Sequence, residues 1–284
     1  ALKYFKKAAE NNHPEALNNL GNCYFNGNGV TQDKEKAKEY YEKAAKLKNS
    51  KAMINLAKYY LDKNGINKEN ENVINYLNDA VNEGNPEAMN MLGNFYYKGE
   101  IVNKDYSIAY NHFLNAANKG IPESINMLGI LYLYGNYVTQ NYSEAFKYFE
   151  KASEYENPEA MKNLAICLME GKGTEKKPDE AIKYFNKASE SGNSEAMRYL
   201  GICHHKGDGV PQNFSKAKEY YEMAAKNCNV EAMHELGKCY YKGIGTRTNY
   251  DNALECFKKA AENNHPGALN NLGNCYFNGN GVTQ

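Results

Sequence analysis

The chain has 284 residues in which 34 lysines and arginines balance 34 aspartates and glutamates, and 24% of its residues are charged. Zero net charge leaves no field to draw in nucleic acid or an anionic membrane, and no run of about 18 apolar residues is present to span a bilayer. No secretory leader pattern is visible and the seven cysteines are odd in number, so a cytoplasmic setting is expected.

Residues 1 to 10, ALKYFKKAAE, read as the later part of a helix. Ala1 corresponds to Ala37 and Ala217 further along, which follow the caps Asp33 and Asn213. The next stretch, HPEALNNLGNCYFNG, opens with Pro14, a residue suited to a first helical position that needs no amide hydrogen. Glu15 follows, where the helix dipole favours negative charge. The helix runs about three turns to Gly27, a residue type that adopts a left-handed stop. A short loop, GNGVTQ, leads to the second cap Asp33 and to KAKEYYEKAAK at 36 to 46, with Ala37, Tyr40, Tyr41, Ala44 and Ala45 at helical spacing. One unit is therefore a helical hairpin, and no strand-like alternation competes with it.

From Asn49 onward the unit recurs. The pairs Leu20-Gly21, Leu56-Ala57, Leu92-Gly93, Leu128-Gly129, Leu164-Ala165, Leu200-Gly201, Leu236-Gly237 and Leu272-Gly273 are each 36 residues apart, with no insertion. Such a fixed period marks an array of stacked units. Asn49, Asn85, Asn157, Asn193 and Asn229 cap first helices, and Asp105, Asn141, Asn213 and Asn249 cap second helices as Asp33 does. Gly99, Gly135, Gly171, Gly207, Gly243 and Gly279 repeat the stop, and Lys63 alone breaks that column. At the phase of Gly21 six units carry glycine and two carry alanine. A mid-helix glycine costs about 1 kcal/mol relative to alanine, so a close helix crossing is predicted there. The alanines at 8, 44, 116, 152, 188, 224 and 260 offer a flat complementary surface, and aromatic rings fill the remaining space.

Leu-Gly-x-x-Tyr in the first helix, Gly-x-Gly-Val in the loop and Ala-x-x-Tyr-Tyr-x-x-Ala-Ala in the second resemble the Sel-one-like repeat (SLR), a relative of the tetratricopeptide repeat. The resemblance covers the whole chain. It implies an all-α fold, an α/α solenoid with a right-handed superhelix of about eight helical-hairpin repeats, continuous over residues 1–284 with half-repeats at both ends. It also implies an adaptor in protein complexes with no common catalytic residues. Departures are local: Lys63 and Val73 in the second repeat, and Leu168 and His204 at the tyrosine phase of the first helix.

Five cysteines, Cys23, Cys167, Cys203, Cys239 and Cys275, share one phase and read as small core residues. Secreted members of the family bridge their two helices with a regular cysteine pair, and no such pair recurs here. With no CxxC present, no metal is expected. His204 sits in the tyrosine phase and reads as packing, while the carboxylates fall at helix starts and on solvent faces. With no nucleophile elbow, phosphate loop or paired-acid arrangement, no catalytic residue and no cofactor are assigned. A weak hydrolase or small-ligand binder dependent on His205 is the least favoured alternative.

By similarity to tetratricopeptide repeats, the non-core phases of the first helix line the concave surface. One phase reads Asn22, Lys58, Asn94, Ile130, Ile166, Ile202, Lys238, Asn274, and its three successive isoleucines, with Tyr134, Tyr199 and His205 nearby, predict an apolar strip. Asn90, Asn126 and Asn163 offer amides that can pair with the backbone of an extended peptide. Arg198 and Lys238, with Lys162, Lys206 and Lys242, add basic character suited to an acidic peptide. The expected function is a non-catalytic scaffold for a protein or extended peptide, without nucleic acid or membrane insertion. The alternative is a self-assembling protein that stacks head to tail through its terminal repeats.

Overall fold

The computed structural model describes residues 1–67 and 70–281. Two compact units divide the chain, the first running from Ala1 to Gln140 and the second starting at Asn141. Among the described residues the first holds helices α1 (Leu2–Glu10), α2 (Pro14–Asn26), α3 (Lys34–Lys46), α4 (Ser50–Asn64), α5 (Glu71–Asn82), α6 (Pro86–Lys98), α7 (Tyr106–Asn118) and α8 (Pro122–Tyr134). The second holds α9 (Tyr142–Ser153), α10 (Pro158–Glu170), α11 (Pro178–Glu190), α12 (Ser194–Lys206), α13 (Phe214–Lys226), α14 (Val230–Lys242), α15 (Tyr250–Glu262) and α16 (Pro266–Asn278). No strand occurs among the described residues, and consecutive helices form hairpins within each unit. No helix there is long and apolar enough to cross a membrane.

Most of the helices begin where a side-chain oxygen takes a free amide. Asn193 accepts from the Ala196 amide at 2.8 Å, Asn229 from Ala232 at 2.8 Å, and Asp33 from Lys36 at 2.9 Å. Two first helices use a residue type absent from the predicted caps: the Nδ1 atoms of His13 and His265 accept from Ala16 and Ala268. Most first helices end on a left-handed glycine, as at Gly27 and Gly207. Without that glycine at Lys63, α4 runs on to Asn64 and is 15 residues long where α2 is 13.

A second left-handed column closes the second helices. Gly84, Gly120 and Gly192 take it with glycine, but Asn12, Lys48, Glu156, Cys228 and Asn264 take it with a Cβ present. Asparagine tolerates that region; the other three carry backbone strain.

The small residue in the first helix receives a ring. A Cβ on Gly21 would lie 2.5 Å from the Tyr41 ring, on Gly93 2.6 Å from Phe113, on Gly201 2.5 Å from Tyr221, and on Gly237 2.5 Å from Phe257. The close crossing predicted at this phase is therefore made by an aromatic face of the second helix, more than by its alanines. In the second repeat the smaller Leu77 stands opposite, and Ala57 shares its core cluster. Ala165 and Phe185 stand at the same two phases and are both fully buried. Burying each such phenylalanine contributes about 2 kcal/mol.

A second ring pair lies beside the first. Tyr24 stacks on Tyr40 with centroids 5.5 Å apart, Tyr60 on Tyr76 at 5.9 Å, Tyr96 on His112 at 6.0 Å, and His204 on Tyr220 at 5.5 Å. His204 thus fills the space of a tyrosine.

Candidate partner-binding surface

The sequence-predicted binding residues lie on the first helices of five repeats, and each unit presents its own set. In the first unit, α6 carries Asn90 and Asn94, and α8 carries Asn126, Ile130 and Tyr134. Tyr134 is 66% exposed, Ile130 is half-buried and Asn126 is buried. Asn90 Oδ1 accepts from the Ser124 hydroxyl at 2.8 Å, and Asn94 Nδ2 donates to the Asn90 carbonyl at 2.9 Å. Further along the same unit, Asn55 Nδ2 donates to Asn18 at 2.8 Å and to Asn22 at 3.1 Å, and the Tyr41 hydroxyl donates to Asn22 at 2.8 Å. These amides join one first helix to the next. Part of the hydrogen-bonding capacity expected to face a peptide is used between repeats.

In the second unit, Asn163 and Ile166 lie on α10, Arg198, Tyr199, Ile202 and His205 on α12, and Lys238 on α14. Ile166 and Ile202 are half-buried, and Ile202 packs against the cluster of Ala217, Tyr221, Leu236 and Cys239. Arg198 is bound to Glu195 at 3.0 Å and lies 4.6 Å over the Tyr199 ring, which stacks on Phe185 at 5.2 Å. Its guanidinium is therefore held between the Glu195 carboxylate and the Tyr199 ring. His205 meets Phe214 edge-on at 5.3 Å, and Lys238 is paired with Glu235 at 2.8 Å.

Glu195 is the centre of a small network. Burial raises its pKa, but hydrogen bonds from Arg198 and Asn229 outweigh that and hold the carboxyl below its ordinary value. Asn229 performs two tasks here: its oxygen caps α14, while its Nδ2 donates to Glu195 of the preceding repeat at 2.7 Å. Asn193 does the same toward Glu159 at 2.6 Å, and Asn85 reaches Ser50 at 3.1 Å, where the second repeat has Lys51 in place of the glutamate. The recurring Asn and Glu columns were legible in the sequence; their contact across 34 residues was not, because neither column alone says that the amide turns backward.

Four of the thiols are poor nucleophiles at neutral pH. Burial pushes Cys167, Cys203, Cys239 and Cys256 up to about 11, so they stay protonated at neutral pH. All seven cysteines are free. His204 is 8% exposed and lowered in pKa by burial, and its Nδ1 has no hydrogen-bond partner among the described residues. Among those residues no group of three or more His, Cys, Asp or Glu is placed to hold a metal ion.

A family model described as the Sel1 repeat matches residues 1–13, 14–49, 86–121, 122–154, 158–193, 194–227, 230–265 and 266–284. The repeat with Lys63 and Val73, residues 50–85, falls outside those segments. Among solved structures the chain is similar to c5321, a protective antigen of uropathogenic Escherichia coli strains displaying an SLR fold. Identity is 26% over 97% of this chain, with a TM-score of 0.78, and the match spans 59% of that protein's length. It is also similar to a Sel1 repeat protein from Oxalobacter formigenes, with 24% identity, TM-score 0.76, and coverage of 96% of this chain and 80% of that one. The immunity protein PA5088 from Pseudomonas aeruginosa shares the fold at 18% identity and TM-score 0.51, covering 79% of this chain and 81% of its own. No curated protein matches the chain.

Proposed function

The chain belongs to the Sel1 repeat family, whose scaffold generally mediates protein–protein interaction and is generally non-catalytic, and from that premise we propose that it holds a partner protein or extended peptide along the exposed faces of its first helices. The observation that carries this reading is the contrast between phases. Buried positions recur from repeat to repeat, leucine throughout at the phase of Leu200 and a small residue throughout at that of Ala196, while Asn94, Ile130, Ile166, Ile202 and Lys238 share one phase, differ in chemistry and are all half-buried. Fold-bearing positions recur in a repeat protein; positions free to vary are available for recognition.

Within this reading Ile166 and Ile202 supply apolar contact, Tyr134 and Tyr199 supply rings, and Arg198 and Lys238 supply positive charge beside their own carboxylates. Replacing both isoleucines, Ile166→Asp with Ile202→Asp, is expected to weaken the partner captured by the native chain by at least about tenfold, the loss of roughly 1.4 kcal/mol. Helicity by circular dichroism stays unchanged. Capture that survives both charges removes the isoleucines from the site.

A second reading, head-to-tail stacking of copies, draws on the stretches at 13–29 and 265–281, which differ at one position. Mass measured by light scattering is expected to rise with concentration if those stretches join one copy to the next. A constant monomer mass rejects it.

A further inference from the structure

Within the shared stretch HPxALNNLGNCYFNGNG, the last repeat differs from the first at one position: Glu15 becomes Gly267. The structure gives a steric cause. A Cβ on Gly267 would lie 3.0 Å from Cε1 and 3.1 Å from Nε2 of His234, and 3.2 Å from Cε1 of His265. His234 stands at the phase of Asn18, Lys238 at that of Asn22, and Phe257 at that of Tyr41. In the first unit those positions form a closed cluster through Asn55, Asn18, Asn22 and the Tyr41 hydroxyl. Lysine is no acceptor and phenylalanine has no hydroxyl, so only one equivalent bond remains, Asn271 Nδ2 to His234 Nε2 at 3.0 Å.

Beside these positions lies a cavity of about 290 Å³ between α14 and α16. His234, Lys238, Lys242, Asn270 and Asn274 line it, with the Phe257 ring from α15 as its apolar wall, and no carboxylate lines it. Glu235 holds Lys238 through both of its oxygens at 2.8 Å. Lys242 has no ion-pair partner among the described residues.

We propose that this cavity binds one carboxylate of the partner, through the Lys242 ammonium, the Asn270 and Asn274 amides and the His234 ring. The proposal rests on the scaffold reading and gives it a chemical contact. The volume is below the usual range for a drug-sized ligand, about 300–1,000 Å³, so it suits a single side chain or chain terminus, whose methylenes meet Phe257 and Tyr241.

The histidine pair makes binding sensitive to pH. The rings of His234 and His265 are 4.5 Å apart. Burial, then His265 and Lys238, disfavour the charged form of His234, and Glu235 opposes them at 3.8 Å. Phe257, the α15 side chain against it, carries no charge. A carboxylate in the cavity supplies the counter-charge that the imidazolium lacks. Proton uptake and anion binding are then linked, and affinity rises as pH falls through the histidine range.

The test is an NMR titration of the full chain with labelled histidine rings. N-acetylglutamate amide offers a side-chain carboxylate, N-acetylalanine a terminal one, and N-acetylglutamine amide none. At least one carboxylate probe is expected to shift the His234 and His265 ring signals saturably, and the responding probe identifies the source; the neutral probe is expected to leave them in place. Affinity is expected to rise about threefold from about pH 7.5 to about pH 5.5. It falls about fivefold in Lys242→Gln, a change at an exposed side chain that leaves folding intact. Gly267→Glu is expected to fill the cavity and abolish the response. No shift with either carboxylate, an equal shift with the neutral probe, or affinity indifferent to pH and to Lys242→Gln overturns the proposal. Partner capture that persists in Lys242→Gln would then leave the scaffold reading standing without this pocket.

Discussion

His204 shows how one residue can satisfy a packing pattern and add a liability. Its ring replaces the tyrosine of other repeats and stacks on Tyr220 at 9° between planes. Burial, with Lys216 second, lowers its pKa in the folded chain. A histidine held neutral in this way contributes stability that is present above the ordinary imidazole value, about 6.5, and is lost as pH falls through the range below it. His204→Tyr restores the phenol found at this phase in Tyr24 and Tyr60. Melting temperatures of the variant and the native chain, measured between about pH 7.5 and about pH 5, are expected to diverge toward acid, with the variant the flatter. Parallel curves would show that His204 carries no share of the acid loss. Sequence alone placed this side chain in the core column, because a 36-residue phase is a direct statement about burial. Nothing local announced the left-handed backbone at Lys48, Glu156 and Cys228. Those residue types disfavour it, and only their alignment with Gly84, Gly120 and Gly192 reveals the requirement.

At the scale of the element, the hairpin is set by a ring against a helix backbone. The second repeat pairs Ala57 with Leu77 in one cluster, whereas its neighbours pair glycine with a ring. That contrast predicts a coupling. Gly201→Ala gains helix propensity but brings a Cβ against Tyr221, for a net loss of about 1 kcal/mol. Adding Tyr221→Leu recreates the Ala57–Leu77 pairing, and the double-mutant cycle by urea denaturation is expected to give a favourable coupling of about 1 kcal/mol. Additive effects would mean that the ring is not what requires glycine. The asparagine and aspartate caps, the glycine stops and the crossing helices were legible, since each is fixed within one repeat, whereas the caps at His13 and His265 were not. The candidate surface was legible as a set of phases only. Whether Ile166 or Ile202 is bare depends on how far adjacent repeats close over it, and both prove half-buried.

For the molecule as a whole, equal numbers of positive and negative side chains spread over 36-residue units leave recognition to local chemistry. The two units meet it differently. The first knots its asparagines together at Asn18, Asn22 and Asn55, whereas the second opens the corresponding place around His234 and Lys238. That difference was invisible in the sequence, because it arises from three substitutions in one repeat, His234, Lys238 and Phe257, that remove hydrogen bonds jointly.

The backward reach of Asn193 and Asn229 bears on how such a chain can change its size. Each of these asparagines starts its own helix and grips an acidic side chain one repeat earlier, so at these two joints the contact is written into both partners. Excising residues 194–229 would bring Asn193 directly before Val230, with Glu159 still within its grasp and a helix still ready to be started. Gain or loss of a whole repeat at such a joint preserves the seam, and a lineage can lengthen or shorten the array there without redesigning the contact.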